Sequence, residues 1–432
     1  MRINRPMKVL FISYFSPPSG GVPIRRLIPM LKYLPEYGVD AIILTCQSPR
    51  YYALDTEEKI PDKVTVYRAP ELLATTRKEG GGIIRDHYKI RRNHIFSSLR
   101  FLYNLIRYPD PQWLWIPKAI ELGEEIIEKE NPDVILATQP PTTNLLIGYA
   151  LSISTGKPLI LDYRDFWASK PYIERNNPLH LLIDRVMEKR VIDEASSIWC
   201  VTVPMLVEMK KRFPAHRDKM VYIPNGYDED DFKNIKRERY EDNIIILIHT
   251  GPITPVRSPE IFLNALREVS EELKGEKTIE FHQFGYVHPS FNNLFKDMKD
   301  LVFLHQQMSH REVIQEMVNA DVGVCIAGVF SSDRVGFPQK AYEYLRAGIP
   351  VLAIAPFNDN YRWMTRSGLG WQADPYDIES IKSVIRHAIS DRRAINNDII
   401  TNFEWRRLSK LAYKLISKVK SSKSFVKNYL SL

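Results

Sequence analysis

The segment VGFPQKAYEYLRAGIPVLAI, residues 335–354, has the residue pattern that most clearly suggests chemistry. Pro338 can begin a helix and Gly348 can end it. Lys340 and Glu343 are three residues apart, so they lie on one helix face near its N-terminus. Lys340 and the free N–H groups can hold a diphosphate, while Glu343 can accept hydrogen bonds from ribose hydroxyl groups. A Lys–Glu surface pair is the alternative interpretation of the same spacing.

Two glycine-containing stretches follow predicted strands and carry further candidate ligand-binding residues. Gly20 and Gly21 precede Pro23 and a helical pattern, so we expect a helix whose N–H groups face an anion. Gly251 follows the strand NIIILIHT, and Arg257 stands before the next helix, where its guanidinium can hold a phosphate. A commonplace glycine turn and a solvated arginine are the alternative interpretations.

The heptapeptide LDYRDFW, which ends another predicted strand, groups Asp162, Arg164, Asp165 and Trp167. Together they offer a carboxylate pair, a fixed cation and an aromatic platform, which suit sugar hydroxyl groups and a developing positive charge. The alternative is a structural Asp–Arg pair that caps a loop. Because ligands of doubly wound sheets bind beyond the carboxyl ends of the strands, the position favours the functional interpretation.

Short apolar runs alternate with helical patterns along the chain and predict parallel sheets covered by helices. One set of runs comprises MKVLFIS, VDAIILT, DVILAT, PLILDY and SIWCVTV, and a second comprises NIIILIHT, TIEFHQF, DVGVCIA and PVLAIA. The stretch PNGYDEDDFKNIKRERYED between them is turn-rich and then densely charged, which predicts a solvated linker. We therefore expect Rossmann-like domains at residues 1–225 and 243–400, joined by a linker at residues 226–242.

The composition agrees with two domains, because 432 residues with 44% hydrophobic content exceed one ordinary core. The 60 Lys and Arg against 52 Asp and Glu favour anionic partners such as nucleotides, phosphates or an acidic membrane surface. Cys46, Cys200 and Cys325 lie in separate apolar runs, which predicts buried thiols in a reducing compartment. No apolar run approaches the length of a membrane-spanning helix, so membrane contact is expected to be peripheral.

Residues 77–116 are irregular and include the basic, aromatic segment KIRRNHIFSSLRFLYNLIRYPDPQWLW. Its Arg and Lys residues alternate with Ile, Phe, Leu and Tyr, as in an amphipathic helix. Such a helix can face a membrane or a lipid-linked acceptor, or it can pack on its own domain. The sequence leaves both interpretations open.

Seven motifs, in their order along nearly the whole chain, resemble those of the GT-B glycosyltransferases. They are FSPPSGG, PDPQWLWIPKA, DVILATQPPT, LDYRDFW, YIPNGYD, HTG with Arg257, and FPQKAYEYLRAGIPVL. The resemblance is to the large retaining family four, which contains bacterial polysaccharide and lipid-linked sugar transferases. It implies an acceptor-side first domain, a nucleotide-sugar-binding second domain across a cleft, and a C-terminal helix in residues 401–432 that returns to the first domain.

The resemblance also implies which residues bind the donor and which act in catalysis. The implied donor-binding residues are Gly20, Gly21, Gly251, Arg257, Pro338, Gln339, Lys340 and Glu343. The implied catalytic residues are Arg164, Asp165, Arg257 and Lys340. Stabilisation of the leaving group by these cations requires neither a metal ion nor another cofactor.

Two departures from the family pattern affect these assignments. Val335 stands where the motif has the first of two glutamates separated by seven residues, and Glu343 matches the second. Arg164 and Asp165 follow the strand after which the family often has a histidine. The first departure removes an acidic group near the transferred sugar, and the second places Arg164 and Asp165 where the family often has a histidine.

The expected activity is a hexosyl-type transfer, with retention, from a nucleotide-sugar to a sugar, glycolipid or lipid-linked acceptor. We expect it in cell-envelope polysaccharide or glycolipid assembly, in the cytoplasm or at the inner membrane face, without nucleic acid. A sugar-nucleotide epimerase of the same fold is one alternative and would need acid/base groups around the sugar. A non-catalytic nucleotide- or membrane-binding protein is the other, and Val335 is the residue that favours it.

Overall fold

The chain folds into two parallel β-sheets. The computed structural model describes residues 5–49, 58–72, 108–168, 178–238, 243–306, 308–328, 336–391, 395 and 397–429. Within them the first group of strands is β1 Met7–Ile12, β2 Val39–Cys46, β3 Thr65–Ala69, β4 Val134–Thr138, β5 Leu159–Tyr163, β6 Ser197–Cys200 and β7 Met220–Tyr222. The second group is β8 Ile244–Thr250, β9 Thr278–Phe284, β10 Val302–His305, β11 Val322–Ile326, β12 Val351–Ile354 and β13 Gly370–Ala373.

The strand orders are those of doubly wound sheets. The described strands of the first sheet have the order β3-β2-β1-β4-β5-β6-β7, and those of the second have the order β10-β9-β8-β11-β12-β13. Ile245 and Leu247 enter one core cluster and Ile246 and Ile248 enter another, so helices cover both faces of the second sheet. The predicted fold class of two Rossmann-like domains is therefore confirmed.

The helices alternate with the strands, as parallel crossovers require. In chain order they are α1 Leu27–Tyr33, α2 Ile116–Glu130, α3 Thr143–Thr155, α4 Pro178–Glu194, α5 Val203–Arg212, α6 Glu260–Glu272, α7 Asn292–Lys296, α8 His310–Asn319, α9 Gln339–Arg346, α10 Asp359–Arg366, α11 Ile378–Ser390, α12 Asn397–Ile400 and α13 Trp405–Tyr429. The last helix returns to the first domain, because Trp405, Leu408, Ala412 and Ile416 are buried in that domain's core. This confirms the expected return of the C-terminal helix.

The chain passes between the two sheets along a double crossing, formed by residues 223–228 and 401–405. Tyr227 N–H donates to the carbonyl oxygen of Phe403 at 3.0 Å, and Trp405 N–H donates to the carbonyl oxygen of Tyr227 at 3.0 Å. Gly226 is required there because a Cβ atom would lie 2.0 Å from the carbonyl oxygen of Phe403. The two passages are therefore in direct backbone contact.

A fully buried ion pair joins this crossing to the first sheet. Arg26 Nε lies 2.9 Å from Asp162 Oδ2, and Arg26 Nη2 lies 2.8 Å from Asp162 Oδ1. The same guanidinium donates to the carbonyl oxygens of Pro224 at 2.7 Å and Ile223 at 3.1 Å. Thr138 Oγ1 donates to Asp162 Oδ2 at 2.8 Å. The charges are both paired and hydrogen-bonded, which is the condition under which an ion pair is tolerated in a core.

The acid cluster at residues 228–231 is paired with basic side chains, so the expectation of a solvated linker is wrong for this part. Asp228 is buried and accepts from Tyr33 Oη and from Lys32 Nζ. Although burial raises the pKa of Asp230, hydrogen bonds from Lys233 and Lys32 lower it to about 2. The remaining pairs are Glu229 with Arg346 and Asp231 with His310. The linker acids thus connect α1 of the first domain to α8 and α9 of the second.

Helix α1 begins later than its sequence pattern predicts. Residues 22–26 form turns, and the helix starts at Leu27 instead of Pro23. Pro29 consequently lies in the first turn, where a missing N–H group costs no helical hydrogen bond. A proline at this position therefore does not kink the helix.

The irregular region of residues 77–116 falls mostly outside the described residues, including Gly80, Gly82 and the basic segment up to residue 107. At its described end, Trp115 is buried in the first core and its Nε1 donates to the carbonyl oxygen of Ala69 at 3.1 Å. That end of the segment therefore packs on its own domain. Among the described helices, none has the length and apolar character to cross a bilayer.

All three cysteines are buried and carry free thiols. Burial raises the pKa of Cys46 and Cys200 to about 12, and that of Cys325 to about 11. The thiols are therefore protonated near neutral pH. This agrees with the prediction that they act as small buried hydrophobic residues.

We predict that Arg26→Ala lowers the free energy of unfolding by about 3–5 kcal/mol, because Asp162 would remain as an uncompensated buried charge. Urea denaturation measures the change. The matched control is Arg386→Ala, which removes a similar two-bond arginine–carboxylate pair with Glu272 that lies in solvent. Its effect is expected to be much smaller. Equal losses in the two variants would contradict the role of the buried pair.

Candidate functional site

The second-domain part of the site is built around His249, near the carboxyl end of β8. Its Nδ1 lies 2.7 Å from Gln283 Oε1, and its Nε2 lies 2.7 Å from Lys340 Nζ. Gln283 Nε2 donates to the carbonyl oxygen of Gly251 at 2.8 Å, which orients the amide so that its oxygen faces the imidazole. The network therefore assigns the imidazole proton to Nδ1, with Nε2 accepting from Lys340.

His249 is held neutral by its surroundings. Burial lowers its pKa well below the usual range, and the charge of Lys340 lowers it further. Lys340 Nζ also donates to the carbonyl oxygen of Thr250 at 2.9 Å. These two acceptors of the ammonium group, the imidazole nitrogen and the carbonyl oxygen, carry no charge. His249 and Thr250, the first two residues of the pattern HTG, thus hold the ammonium group of Lys340 at the end of β8.

Gly251 provides the backbone turn beneath this cation. Its φ is +121°, a conformation that side-chain-bearing residues rarely adopt, and a Cβ atom would lie 3.9 Å from Lys340 Nζ. Its N–H donates to the carbonyl oxygen of Phe284 at 2.8 Å. The turn is consequently fixed by β9 on one side and faces the ammonium group on the other.

Arg257 adds a second cation to the same edge. It lies half-buried in the loop after β8, and its backbone N–H donates to the carbonyl oxygen of Thr254 at 2.8 Å. Its charge lowers the pKa of His249, although burial and the charge of Lys340 have larger effects. It also opposes the effect of burial on the pKa of Cys325 in β11. Arg257 and Lys340 therefore act on the same small region, beside β8 and β11.

The start of α9 faces the double crossing. Pro338 is the N-cap residue of this helix, with φ −70° and ψ 145°. Gln339 Nε2 donates to the carbonyl oxygen of Gly226. Pro338, Gln339 and Lys340 are all half-buried, so the helix start is not enclosed by its own sheet. Three of the predicted donor-binding residues, Pro338, Gln339 and Lys340, are thus grouped at one helix end.

Glu343 lies one turn further along α9 and is buried. Its Oε1 is 3.9 Å from Nε2 of His310, which is in turn 3.1 Å from Asp231 Oδ2. Lys340 and Glu343 therefore have different partners, and the burial of Glu343 is not that of a surface Lys–Glu pair. The side chain of Glu343 therefore lies beside His310, near the linker acid Asp231.

The first-domain part of the site lies where the loops after β1 and β5 meet. Arg164 Nη1 donates to the carbonyl oxygen of Pro23 at 2.9 Å and so ties the second loop to the first. Burial lowers the pKa of Arg164 to about 10, which leaves it charged at neutral pH. Asp165 is half-buried, Gly20 is buried and Gly21 has φ +80°. The four predicted residues of this domain are therefore neighbours at one sheet edge.

The predicted anion site at the start of α1 is reduced by the turns that precede this helix. The N–H groups of Ile24 and Arg25 donate to the carbonyl oxygens of Gly21 and Val22, each at 3.3 Å. The N–H group of Ile28 donates to the carbonyl oxygen of Ile24 at 3.0 Å. These donors are satisfied within the loop, so the helix end offers fewer N–H groups than a helix beginning at Pro23 would.

Two members of the LDYRDFW cluster serve the interior instead of a ligand. Asp162 pairs with Arg26, so it does not form a catalytic carboxylate pair with Asp165. Trp167 is buried, and its Nε1 donates to Asp184 Oδ1 at 2.7 Å, so its ring is not an open platform. Asp162 lies within β5, which is buried along its whole length, whereas Trp167 lies beyond the strand and packs against α4.

Four residues that organise the site had no role assigned from the sequence: Arg26, His249, Gln283 and His310. His249 and Gln283 are register partners on β8 and β9, so two apolar runs each carry a polar residue at the same level. Polar residues at matching levels of two apolar runs could have predicted this pair from the sequence. Arg26 and His310 give no such signal, because their partners are more than 70 residues away.

Among the described residues, no group of three or more His, Cys, Asp or Glu side chains is arranged to hold a metal ion. Val335, the departure from the family motif, lies outside the described residues. The candidate charged groups are Lys340, Arg257 and Glu343 on the second domain and Arg164 and Asp165 on the first.

In sequence, the first half of the chain matches a known family of glycosyltransferases. The sequence model of Glycosyltransferase Family 4 matches residues 20–231, which extend from the loop after β1 to the acid cluster of the linker. No curated protein sequence matches the chain.

Solved structures similar to the chain share its whole architecture. A glycosyltransferase from Rickettsia africae ESF-5 aligns over 96% of this chain and 98% of its own, with TM-score 0.64 and 14% identity. A trehalose-6-phosphate structure from E. coli bound with UDP-2-fluoro glucose aligns over 96% and 99%, with TM-score 0.63 and 11% identity. The lipopolysaccharide outer core galactosyltransferase WaaB aligns over 96% and 100%, with TM-score 0.58 and 13% identity.

The same fold also carries another chemistry. A UDP-N-acetylglucosamine 2-epimerase aligns over 98% of this chain and 97% of its own, with TM-score 0.55 and 11% identity. At such identities the likeness concerns the fold alone, so fold similarity does not separate transfer from epimerisation.

The lowered pKa of His249 predicts a pH-dependent stability. The folded state resists protonation while the unfolded chain takes up a proton below about pH 6.5, so stability falls as the pH drops below that value. The slope for one such group is about 1.4 kcal/mol per pH unit. We predict that His249→Gln, which cannot titrate, loses less stability than the unchanged protein between pH 7 and pH 5. Urea denaturation at both pH values measures this, and identical pH dependence would contradict a neutral buried imidazole.

Proposed function

We propose that the protein, a glycosyltransferase of the family 4 type, transfers a sugar from a nucleotide-sugar to a sugar, glycolipid or lipid-linked acceptor. We assign the transfer to cell-envelope polysaccharide or glycolipid assembly, at the cytoplasmic face of the membrane, with retention of the anomeric configuration. The position of Lys340 carries the proposal: its ammonium group is fixed at the end of β8, above Gly251, by a neutral imidazole and a carbonyl oxygen.

This arrangement suits the diphosphate of a nucleotide-sugar. Cleavage of the bond to the sugar leaves negative charge on the diphosphate, and cations that are already in place stabilise that charge without reorganisation. Lys340 is held in place by His249 and Thr250, and Arg257 adds positive charge to the same region. The neutral state of His249 matters, because an imidazolium beside Lys340 would repel the ammonium group from its position.

The other predicted donor-binding residues have separate tasks in this proposal. Gly251 lets the backbone approach the diphosphate closely, and Pro338 and Gln339 set the start of α9 against the linker. Glu343, one turn along α9, accepts hydrogen bonds from the ribose hydroxyl groups. The similar structure that holds UDP-2-fluoro glucose supports a nucleotide-sugar as the ligand class.

The first domain supplies the acceptor side. Arg164 holds the loop with Gly20 and Gly21 against the β5 loop, through the carbonyl oxygen of Pro23. Asp165 lies beside it and is the residue that we assign to contact with the reacting sugars. Retention can proceed by attack from the face that the diphosphate leaves, with a donor phosphate oxygen accepting the proton of the acceptor hydroxyl group. Cationic side chains stabilise the leaving group in this scheme, so it requires no metal ion.

A panel of UDP-, GDP- and ADP-sugars tests the proposal with purified protein. Slow hydrolysis of one donor, with release of the nucleoside diphosphate and no loss of rate in EDTA, is the expected result. Formation of an isomeric nucleotide-sugar would identify an epimerase. Binding without turnover, measured by thermal shift, would indicate a non-catalytic nucleotide-binding protein. Either of these two outcomes would overturn the assigned transfer.

We predict that Lys340→Ala weakens binding of the active donor by roughly tenfold to a hundredfold, the range for loss of a hydrogen bond to a charged group. Glu343→Ala is expected to weaken it as well, through the ribose. Isothermal titration measures both changes. Lys274→Ala, an exposed lysine of the same domain, is the matched control and should bind as the unchanged protein does. Unchanged affinity in the Lys340 and Glu343 variants would contradict the donor site.

A further inference from the structure

Helix α4 of the first domain has aliphatic side chains on its exposed side and carboxylates on its buried side. Leu179, Leu182, Ile183 and Val186 are 53%, 58%, 36% and 45% exposed, although large aliphatic side chains are usually buried. Their spacing of i, i+3, i+4 and i+7 places them on one helix face. We call these four residues the α4 stripe. A continuous exposed aliphatic stripe of this kind indicates an interaction surface.

The orientation of α4 is fixed by its two buried acids. Asp184 Oδ1 accepts from Trp167 Nε1 at 2.7 Å, and Glu188 Oε2 accepts from Arg212 Nη2 at 2.6 Å. Both carboxylates are fully buried. A rotation of the helix that buried the α4 stripe would break both bonds and expose two carboxylates in their place. The packing of Asp184 and Glu188 therefore keeps the α4 stripe exposed.

The charges beside the α4 stripe are positive. Arg185, Lys189 and Arg190 are exposed on the same helix, whereas its first two acids, Asp184 and Glu188, point inward. The exposed acid of the helix is Asp193, near its C-terminal end, where it pairs with Lys189. Apolar side chains bordered by Arg and Lys, with the acids turned away, match an anionic lipid surface. A second copy of the chain would bring three further basic side chains against these, which like-charge repulsion opposes.

The inner side of α4 holds the loop that follows β5. Trp167, which bonds to Asp184, is two residues from Asp165 and three from Arg164, both on the candidate acceptor side. The α4 stripe and this loop thus lie on opposite sides of one helix, whose diameter is about 10–12 Å. The headgroups of a lipid surface that contacts the α4 stripe would therefore lie close to that loop.

We propose that the α4 stripe docks the protein on an anionic membrane surface, where the loop with Arg164 and Asp165 receives a lipid-linked acceptor. The choice of acceptor rests on the proposed function, but the docking surface does not. Aliphatic side chains of the α4 stripe enter the boundary between headgroups and acyl chains, and Arg185 and Arg190 contact the anionic headgroups. Neither contact requires donor or nucleotide.

Flotation of the full chain with vesicles of phosphatidylcholine, with and without phosphatidylglycerol, tests the docking surface. We expect binding to the anionic vesicles that weakens in 1 M salt. Leu182→Gln with Ile183→Gln should weaken the partition by at least about tenfold, through lost apolar burial. Arg185→Gln with Arg190→Gln should weaken it about 25-fold, at about fivefold for each charge. Leu304→Gln with Leu411→Gln, which removes two exposed leucines elsewhere, is the matched control and should bind normally.

Three outcomes would overturn the docking surface. One is equal partition of the unchanged protein and the Leu182, Ile183 variant. Another is a dimer in sedimentation velocity that this variant dissolves, which would identify a second copy as the occupant. The third is a loss of unfolding stability in this variant that the Leu304, Leu411 control does not show, which would mean that the chain itself covers the α4 stripe. Donor hydrolysis in free solution, measured in parallel, separates failure of docking from failure of the proposed transfer.

Discussion

The ion pair of Arg26 and Asp162 is the interaction on which the arrangement of the domains depends. A carboxylate at the end of an interior strand can remain charged in a core only if cations and donors surround it, and Arg26 and Thr138 do so. The remaining donors of Arg26 reach the carbonyl oxygens where the chain leaves the first domain. One guanidinium therefore fixes the β1 loop, the β5 strand and the exit to the second domain together.

The second domain positions its buried polar groups with a neutral side chain instead of an ion pair. His249 lies at a position where burial and a lysine both oppose protonation, so the imidazole serves as an acceptor that holds Lys340 without cancelling its charge. Gln283 fixes the tautomer from the neighbouring strand. The two halves of the site consequently rest on polar groups at strand ends, each oriented by a partner on an adjacent element. This is the geometry that lets parallel sheets present ligand-binding groups at their carboxyl edges.

The sequence predicted the interior strands of the two sheets better than their edge strands. Eight of the nine strands that have neighbours on both sides appear as largely apolar runs because helices cover both faces of the sheet, whereas TIEFHQF of β9 alternates. The four edge strands β3, β7, β10 and β13 were missed, because their short sequences TVYRA, MVY, VFLH and GWQA carry no such run. Lys340 and Gly251 were predictable from local motifs, whereas Arg26 and His310 bond to distant residues. Asp162 and Trp167 were misassigned because a motif does not tell which of its side chains face inward.

The double crossing limits how the two domains can move. Residues 223–228 and 401–405 are joined by backbone hydrogen bonds, and Gly226 leaves no space between them. A single flexible linker would allow one domain to rotate freely relative to the other. Two segments that are joined by hydrogen bonds favour bending in one direction. Any opening of the space between the sheets would therefore be a rotation about one axis. Admission of donor and release of product would then occur at the rim opposite that axis, where separation is greatest for a given angle.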